Sequence, residues 1–285
     1  MAARAWPPLL LVFLLACAGP GPEPALAPPI PASTEPQAAP ATGRPAEMAF
    51  IAGGPFLMGS DDGPEDERPA HEVRLAPFLI DRLPVTNAQF AEFLNAVGPR
   101  NSRGENLYDI ADSDARIHAE AGRYRADSGF EHHPVVEPSW AGARDYCAWR
   151  GARLPTEAEW ERAARGAEGR PYPWGVQSPS PSLAHFAARY NDYLPAGSKP
   201  EGATPEGVQD MAGNVWQWVS SLYRPYPYRA NDGREDPDGP GERVTRGGGH
   251  DSPAAHLRGS YRGRGLSRGP GAGHHNIGFR CATDG

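Results

Sequence analysis

The stretch DYCAWRGARLPTEAEWERAARG, residues 145–166, contains the strongest local structure signal of this chain. Thr156 is followed three residues later by Glu159, which is the spacing of a capping box at the start of a helix. Trp160 and small apolar residues then recur at helical spacing until Gly166. The stretch therefore predicts a short helix.

Two further helices are predicted before this one. Thr86 and Gln89 form a second capping box, and the apolar periodicity that follows ends at Gly98. Ser139 can cap another helix, which ends by Gly151. After the third helix, no convincing helix pattern is found. The segments that read as short strands are Phe50–Met58, Val73–Ile80 and Val244–Gly248.

The composition limits both the architecture and the partners of the chain. Gly contributes 34 and Pro 33 of the 285 residues, so long regular elements are scarce and much of the fold is loop. Apolar residues make up 39%, which is enough to form a core. The formal net charge of −7 gives no basic footprint, so nucleic acid is not an expected partner.

The N-terminus has the pattern of an export signal over residues 1–17. An apolar run, Leu9–Leu15, follows one arginine and precedes Ala16 and Cys17. The run is too short to span a bilayer. Its end resembles a bacterial lipobox, which predicts a cell-envelope lipoprotein with Cys17 as the lipidated residue. The alternative is an ordinary signal peptide cut near Ala18, which would give a secreted soluble protein.

Residues 18–46 contain nine prolines and eight alanines and almost no large apolar side chain. Such a segment cannot bury enough surface to offset its ordering entropy, so we expect a disordered tether. The folded domain is predicted to cover residues 47–285.

Seven motifs then follow one another along that domain. They are GGPFLMGS, RLPVTNAQFAEFL, HPVVEPSW, DYCAWRGARLPTEAEWERAARG, YPWG, DMAGNVWQW and NIGFRCA. Together they resemble the formylglycine-generating enzyme family, also called sulfatase-modifying factors, over residues 46–284. The resemblance implies an α+β, compact C-type-lectin-like fold with little regular secondary structure. It also implies export, and a copper ion held by two cysteine thiolates that oxidises a substrate cysteine to formylglycine.

The chain has three cysteines, Cys17, Cys147 and Cys281. The resemblance implies a structural disulfide between Cys147 and Cys281. In a chain-entropy model, such a long loop closure contributes on the order of 4 kcal/mol. If Cys17 is lipidated, no thiol remains for catalysis.

The resemblance places the two copper-binding cysteines at Ser252 and Leu257. A serine hydroxyl is a poor ligand for the soft Cu(I) ion, and a leucine is no ligand at all. We therefore expect neither copper at these positions nor formylglycine-generating activity.

The segment around these two positions is rich in histidine. Imidazole suits iron, copper, zinc and nickel, and an aspartate oxygen could complete a non-haem iron or other metal site. The spacings match no compact metal motif, so solvated or hydrogen-bonded histidines are the alternative. The candidate ligands are His250, Asp251, His256, His274 and His275.

The motif DMAGNVWQW is a candidate calcium site. The resemblance implies side-chain oxygens from Asp210 and Gln217 and main-chain carbonyls from Gly213 and Val215, all of which Ca²⁺ accepts. Gln217 stands where the family usually has glutamate, which removes one charge. The alternative is a tight turn held by its own hydrogen bonds.

Charged residues cluster in two places. Six arginines near the C-terminus could line a groove for an anionic or peptide ligand, although salt bridges with the surplus carboxylates are the alternative. They are Arg243, Arg246, Arg258, Arg262, Arg264 and Arg268. The acidic run from Asp61 to Glu67 is expected to be a solvated loop between two strands.

Two functions remain in competition. The first is an exported, lipid-anchored binding or accessory module whose C-terminal cleft recognises a peptide, a protein or a glycan without oxidising it. The second is a metal-dependent oxidase or oxygenase that uses a histidine-based non-haem metal site. Under either function, the membrane is contacted through the lipid anchor alone.

Overall fold

The computed structural model describes residues 48–263 and 271–285. The predicted signal, Cys17 and the tether lie outside the described residues, and so do Arg264 and Arg268. Within the described ranges, no helix has both the length and the apolar character needed to span a bilayer.

Three α-helices confirm the helix predictions. They are α1 (Asn87–Val97), α2 (Trp140–Trp149) and α3 (Glu157–Arg165). Both capping boxes are formed: the hydroxyls of Thr86 and Thr156 accept the third backbone N–H of their helices. These caps satisfy N–H groups at the start of each helix that have no partner within it. Because a capping box acts over only three residues, its sequence pattern predicted the start of both helices correctly.

Eleven short strands form four small sheets. The strands are β1 (Met48–Ile51), β2 (Gly54–Met58), β3 (His71–Leu75), β4 (Phe78–Asp81), β5 (Ile117–Glu120), β6 (Arg123–Ala126), β7 (Trp216–Leu222), β8 (Arg243–Arg246), β9 (Arg262–Gly263), β10 (Ile277–Phe279) and β11 (Ala282–Asp284). The sheet orders are β1-β4-β11, β10-β7-β8-β9, β2-β3 and β5-β6. Only the β10–β7 pairing is parallel among these described strands. This mixture of helices and small sheets confirms the α+β class.

Two predicted strands are each broken in two. The break in Phe50–Met58 falls at Gly53, where a Cβ atom would lie 2.7 Å from the backbone nitrogen of Pro77. Pro77 itself separates β3 from β4 and interrupts the predicted strand Val73–Ile80, because proline has no N–H for a sheet. The two chain segments therefore cross in close contact, and each half-strand pairs in a different sheet.

The predicted strand Val244–Gly248 is also shorter than expected. It ends at Arg246, because Gly247 and Gly248 adopt φ of 98° and 75°, a left-handed conformation that does not continue a strand. The chain turns there into the loop that carries His250 and Ser252.

The disulfide between Cys147 and Cys281 is formed, as the resemblance implied, with an S–S distance of 2.02 Å. Both cysteines are buried in the largest core cluster. The bond joins α2 to the turn between β10 and β11 across 134 residues. It therefore ties the C-terminal strands to the helices.

Helix α3 carries a buried ionic cluster. Glu157 and Glu161 are fully buried, and Arg246 of β8 lies between them. Arg262 of β9 binds the Glu157 carboxylate from Nε at 2.7 Å, and Arg165 pairs with Glu161. Two carboxylates and three guanidinium groups are thus paired in a buried site.

This cluster favours the salt-bridge alternative for Arg246 and Arg262. The salt-bridge alternative also holds for Arg258, whose guanidinium pairs with the buried carboxylate of Glu67. Arg243 donates to the main-chain carbonyls of Ser220 and Pro237 at 2.7 and 2.8 Å. The described arginines of this segment therefore have structural partners: Arg246, Arg258 and Arg262 pair with buried carboxylates, and Arg243 donates to carbonyl oxygens.

We expect Glu161→Ala to lower the free energy of unfolding by about 3–5 kcal/mol, because it leaves Arg246 and Arg165 buried without their main partner. Denaturant unfolding followed by circular dichroism measures this loss. The matched control is Arg103→Ala, which breaks an ion pair whose side chains are 48% and 69% exposed. Equal losses in the two variants would contradict the importance of the buried cluster.

Candidate functional site

The loop after β8 fills both positions at which the family resemblance places copper-binding thiols. The Oγ atom of Ser252 accepts a hydrogen bond of 3.0 Å from the Gly249 backbone N–H, which closes a tight turn. Leu257 is fully buried and packs with Ala184 and Ala212. Neither side chain offers the soft thiolate that Cu(I) prefers, and both cysteines of the described ranges are consumed in the disulfide.

His250 is buried in the same loop, and its two ring nitrogens differ. Nδ1 lies 3.1 Å from the carbonyl oxygen of Asn214, which can only accept a hydrogen bond. Nδ1 therefore carries the proton, and Nε2 has a free lone pair. Nε2 is buried and has no hydrogen-bond partner among the described residues. Burial lowers the pKa of the His250 imidazole, which favours the neutral ring.

Asp251 and His275 lie next to His250. Nε2 of His275 is 3.3 Å from Oδ2 of Asp251, and the Asn276 amide donates to both oxygens of the same carboxylate at 3.1 and 3.2 Å. The hydrogen bond from His275 lowers the pKa of Asp251 to about 2, so this group is ionised at neutral pH. One ligand atom each from His250, Asp251 and His275 lie within 4.8 Å of one another.

Two other histidines of the predicted set make different contacts. The ring of His256 stacks on Tyr261, with 4.2 Å between the ring centroids. His274 is buried and makes an edge contact with Trp218 at 6.2 Å. The structure therefore narrows the candidate metal ligands to His250, Asp251 and His275.

An open cleft of about 1180 Å³ lies next to the loop that contains Leu257. Its aromatic lining comes from distant parts of the chain and consists of Trp216, Tyr223, Tyr226, His256 and Tyr261. Burial lowers the pKa of the His256 imidazole, which favours the neutral ring. The C-terminal segment thus contributes His256 and Tyr261 to a largely aromatic cleft wall.

The charged lining of the cleft is acidic. Asp61, Glu65 and Asp66 line it together with Arg68 and Arg262. The charge of Arg262 is compensated by Glu157, to which it donates at 2.7 and 3.1 Å. Three carboxylates therefore face one remaining guanidinium. The acidic lining of the cleft favours a cationic ligand, whereas the number of arginines in the sequence suggested an anionic one.

The acidic run is only partly the solvated loop that was predicted. It does connect β2 to β3, and Asp61 and Glu65 are exposed. Glu67, however, is fully buried, because its carboxylate accepts hydrogen bonds from Arg258. This pair fixes the acidic loop against the C-terminal segment and so forms one wall of the cleft.

The predicted calcium residues are close together, but one of them is already engaged. Asp210 is buried, and its Oδ2 accepts from the Gly197 N–H at 2.7 Å. The Gln217 Oε1 atom accepts from Trp160 and Arg280 at 2.9 and 2.7 Å, which uses both of its lone pairs. Gln217 therefore does not fit as a calcium ligand in this arrangement.

The remaining predicted ligands are the Asp210 carboxylate and the carbonyls of Gly213 and Val215, whereas Ca²⁺ prefers six to eight oxygens. The calcium site remains a prediction. The motif DMAGNVWQW is also not entirely a loop, because its last residues form the start of strand β7 at Trp216.

Sequence reasoning missed two groupings. The first is the contact between the acidic loop and the C-terminal segment across the cleft. The second is a cluster of the carboxylates of Asp109, Asp112 and Glu137, in which one oxygen of each lies within 4.8 Å of the others. Neither grouping has a local spacing pattern, so the single sequence carried no signal for them.

Comparison with known proteins identifies relatives over most of the chain. A family model described as a sulfatase-modifying factor enzyme 1-like domain matches residues 32–285. A formylglycine-generating enzyme of Streptomyces coelicolor is 36% identical and covers 82% of this chain and 88% of that protein. The inactive C-alpha-formylglycine-generating enzyme 2 of Mus musculus is 33% identical, with coverages of 97% and 92%.

A further relative is a larger protein. The serine/threonine-protein kinase Pkn1 of Chlamydia trachomatis serovar L2 is 41% identical over 84% of this chain, but the chain spans only 38% of the kinase's length. Among solved structures, PvdO from Pseudomonas aeruginosa has a TM-score of 0.62 and 29% identity, covering 83% of this chain and 94% of its own. These likenesses confirm the expected C-type-lectin-like fold of the formylglycine-generating enzyme type.

Proposed function

Because this chain belongs to the sulfatase-modifying factor enzyme 1-like family, we propose that it is an exported, lipid-anchored binding module that does not generate formylglycine. The observation that carries this proposal is the filling of the two thiol positions by Ser252 and Leu257. A hydroxyl already bound to a backbone N–H and a leucine in an apolar cluster cannot replace two thiolates. The name of the mouse relative, an inactive enzyme, agrees with a family scaffold used without this oxidation.

The cleft is the proposed ligand site. Its volume of about 1180 Å³ exceeds the roughly 300–1000 Å³ of a small-molecule pocket, which favours an extended ligand such as a peptide segment. The acidic side chains Asp61, Glu65 and Asp66 favour lysine or arginine side chains on that segment.

A metal-dependent oxidase or oxygenase is the second candidate function. The observation that favours it is the convergence of His250, Asp251 and His275, since two imidazoles and one carboxylate can hold a redox-active iron. This function requires both metal binding and oxygen consumption. The binding-module function requires neither of them.

We expect the purified full-length protein to leave the cysteine of a sulfatase-derived peptide unchanged in the presence of copper, reductant and oxygen. Mass spectrometry of the peptide measures the conversion. The positive control is the Streptomyces coelicolor formylglycine-generating enzyme under identical conditions. Conversion of the peptide by the present protein would overturn the proposal.

We expect labelled peptides rich in lysine and arginine to bind more tightly than acidic peptides of equal length, with an affinity that falls as salt is raised. The double variant Asp61→Asn, Glu65→Gln should weaken basic-peptide binding by about three- to tenfold, because exposed ion pairs contribute roughly 0.2–1 kcal/mol each. Fluorescence anisotropy measures both effects.

The matched control for this double variant is Asp62→Asn, which removes an exposed acidic residue of the same loop that does not line the cleft. An equal loss in the control variant, or no preference for basic peptides, would count against the cleft as the binding site.

We expect Cys17→Ser to move the protein from the membrane fraction to the soluble fraction, because it removes the proposed lipidation site. Cell fractionation with immunoblotting measures this shift. If the unaltered protein is already soluble and begins near Ala18, the ordinary signal peptide is correct and the lipid anchor is not.

A further inference from the structure

We propose that His250, Asp251 and His275 form a binding site for a first-row divalent transition-metal ion, such as Co²⁺, Fe²⁺ or Zn²⁺. The site is separate from the thiol positions of the family and from the peptide-binding cleft. It extends beyond the proposed binding function, and each of the two can fail without the other. The second candidate function would use this same site, but metal binding without oxygen consumption supports the site and not that function.

The first argument is the orientation of His250. The Asn214 carbonyl fixes the proton on Nδ1, so Nε2 keeps a free lone pair, and one ligand atom of His250 lies within 4.8 Å of those of Asp251 and His275. A buried nitrogen without a partner among the described residues is unusual, because buried polar atoms are nearly always hydrogen-bonded. A hydrogen bond from the second ring nitrogen to a main-chain carbonyl is the usual support of a metal-binding histidine.

The second argument is the arrangement of the other two side chains. Asp251 is held by the Asn276 amide, which orients the carboxylate as an outer-shell partner does in metal sites. Nε2 of His275 and Oδ2 of Asp251 are 3.3 Å apart. Two ligands on one ion with bonds of about 2.1 Å lie roughly 3.0–3.4 Å from each other, so a metal ion can take the place of the proton that His275 Nε2 donates to Asp251.

The remaining ligand separations are at most 4.8 Å and close by a small movement. The side chains of His275 and Asp251 can make this movement, because they are 26% and 31% exposed. His250, in contrast, is buried in its loop. The metal site therefore has one fixed ligand and two adjustable ones.

The donor set selects the class of ion. Two imidazoles and one carboxylate suit first-row transition metals, whereas Ca²⁺ and Mg²⁺ prefer oxygen donors only. The exposed side of Asp251 and His275 leaves room for water or a small ligand on the ion. Tyr190, which is 62% exposed, covers part of this opening with its ring 4.4 Å from that of His275.

The test titrates chelator-washed, full-length protein with Co²⁺, followed by the visible absorption of the bound ion, and with Zn²⁺, followed by calorimetry. We expect one equivalent of each ion to bind. Asp251→Asn and His275→Ala should each weaken binding by at least about tenfold, the lower end of what even outer-shell changes cause. Because both side chains are partly exposed, these variants should stay folded, which circular dichroism checks. His250→Ala should abolish the Co²⁺ absorption.

Two control variants test the assignment. His118→Ala removes a histidine that pairs with Asp127 at 2.7 Å on the surface, and His256→Ala removes the cleft histidine. Both should bind one equivalent of Co²⁺ with the affinity of the unaltered protein. The proposal is overturned if the unaltered protein binds no stoichiometric metal, if Asp251→Asn and His275→Ala bind as it does, or if His118→Ala loses the ion equally.

Discussion

The buried pairing of Glu161 and Glu157 with Arg246 and Arg262 is the constraint on which the rest of this structure depends. Charges in a solvent-free interior are tolerated only when each has its partners in place, so helix α3 and strands β8 and β9 must assemble together. The loop after β8 leaves directly from this cluster. Main-chain hydrogen bonds then hold its residues: the His250 N–H donates to the Asn214 carbonyl at 2.8 Å, and the Ser252 carbonyl accepts from the Ala187 N–H at 2.9 Å.

The same constraint determines the electrostatic character of the cleft. Among the described arginines of the C-terminal segment, Arg246 and Arg262 pair with buried carboxylates of helix α3, and Arg258 is held by Glu67 of the acidic loop. What remains on the cleft wall is therefore acidic, with Asp61 and Glu65 exposed. The number of arginines in a segment thus says little about its surface potential when their partners lie elsewhere in the chain.

The loop that carries the thiol pair in the family resemblance carries a different donor set here. Ser252 and Leu257 have structural contacts, while His250 and Asp251, just before them, meet His275 from the β10 side. A scaffold that tolerates irregular loops can change its chemistry by local substitution without a change of fold. The family membership therefore establishes the architecture, and the side chains in the loop decide the activity.

The sequence by itself determined the three helices and the absence of free thiols at the family's copper site. Capping at Thr86 and Thr156 acts over three residues, so such signals survive without tertiary context. The tertiary structure decided which histidines converge, which carboxylates neutralise Arg246 and Arg262, and how the acidic loop meets Tyr261. Those contacts join irregular segments that are far apart in the chain, and no periodicity records them, because only the packing of the whole core brings them together.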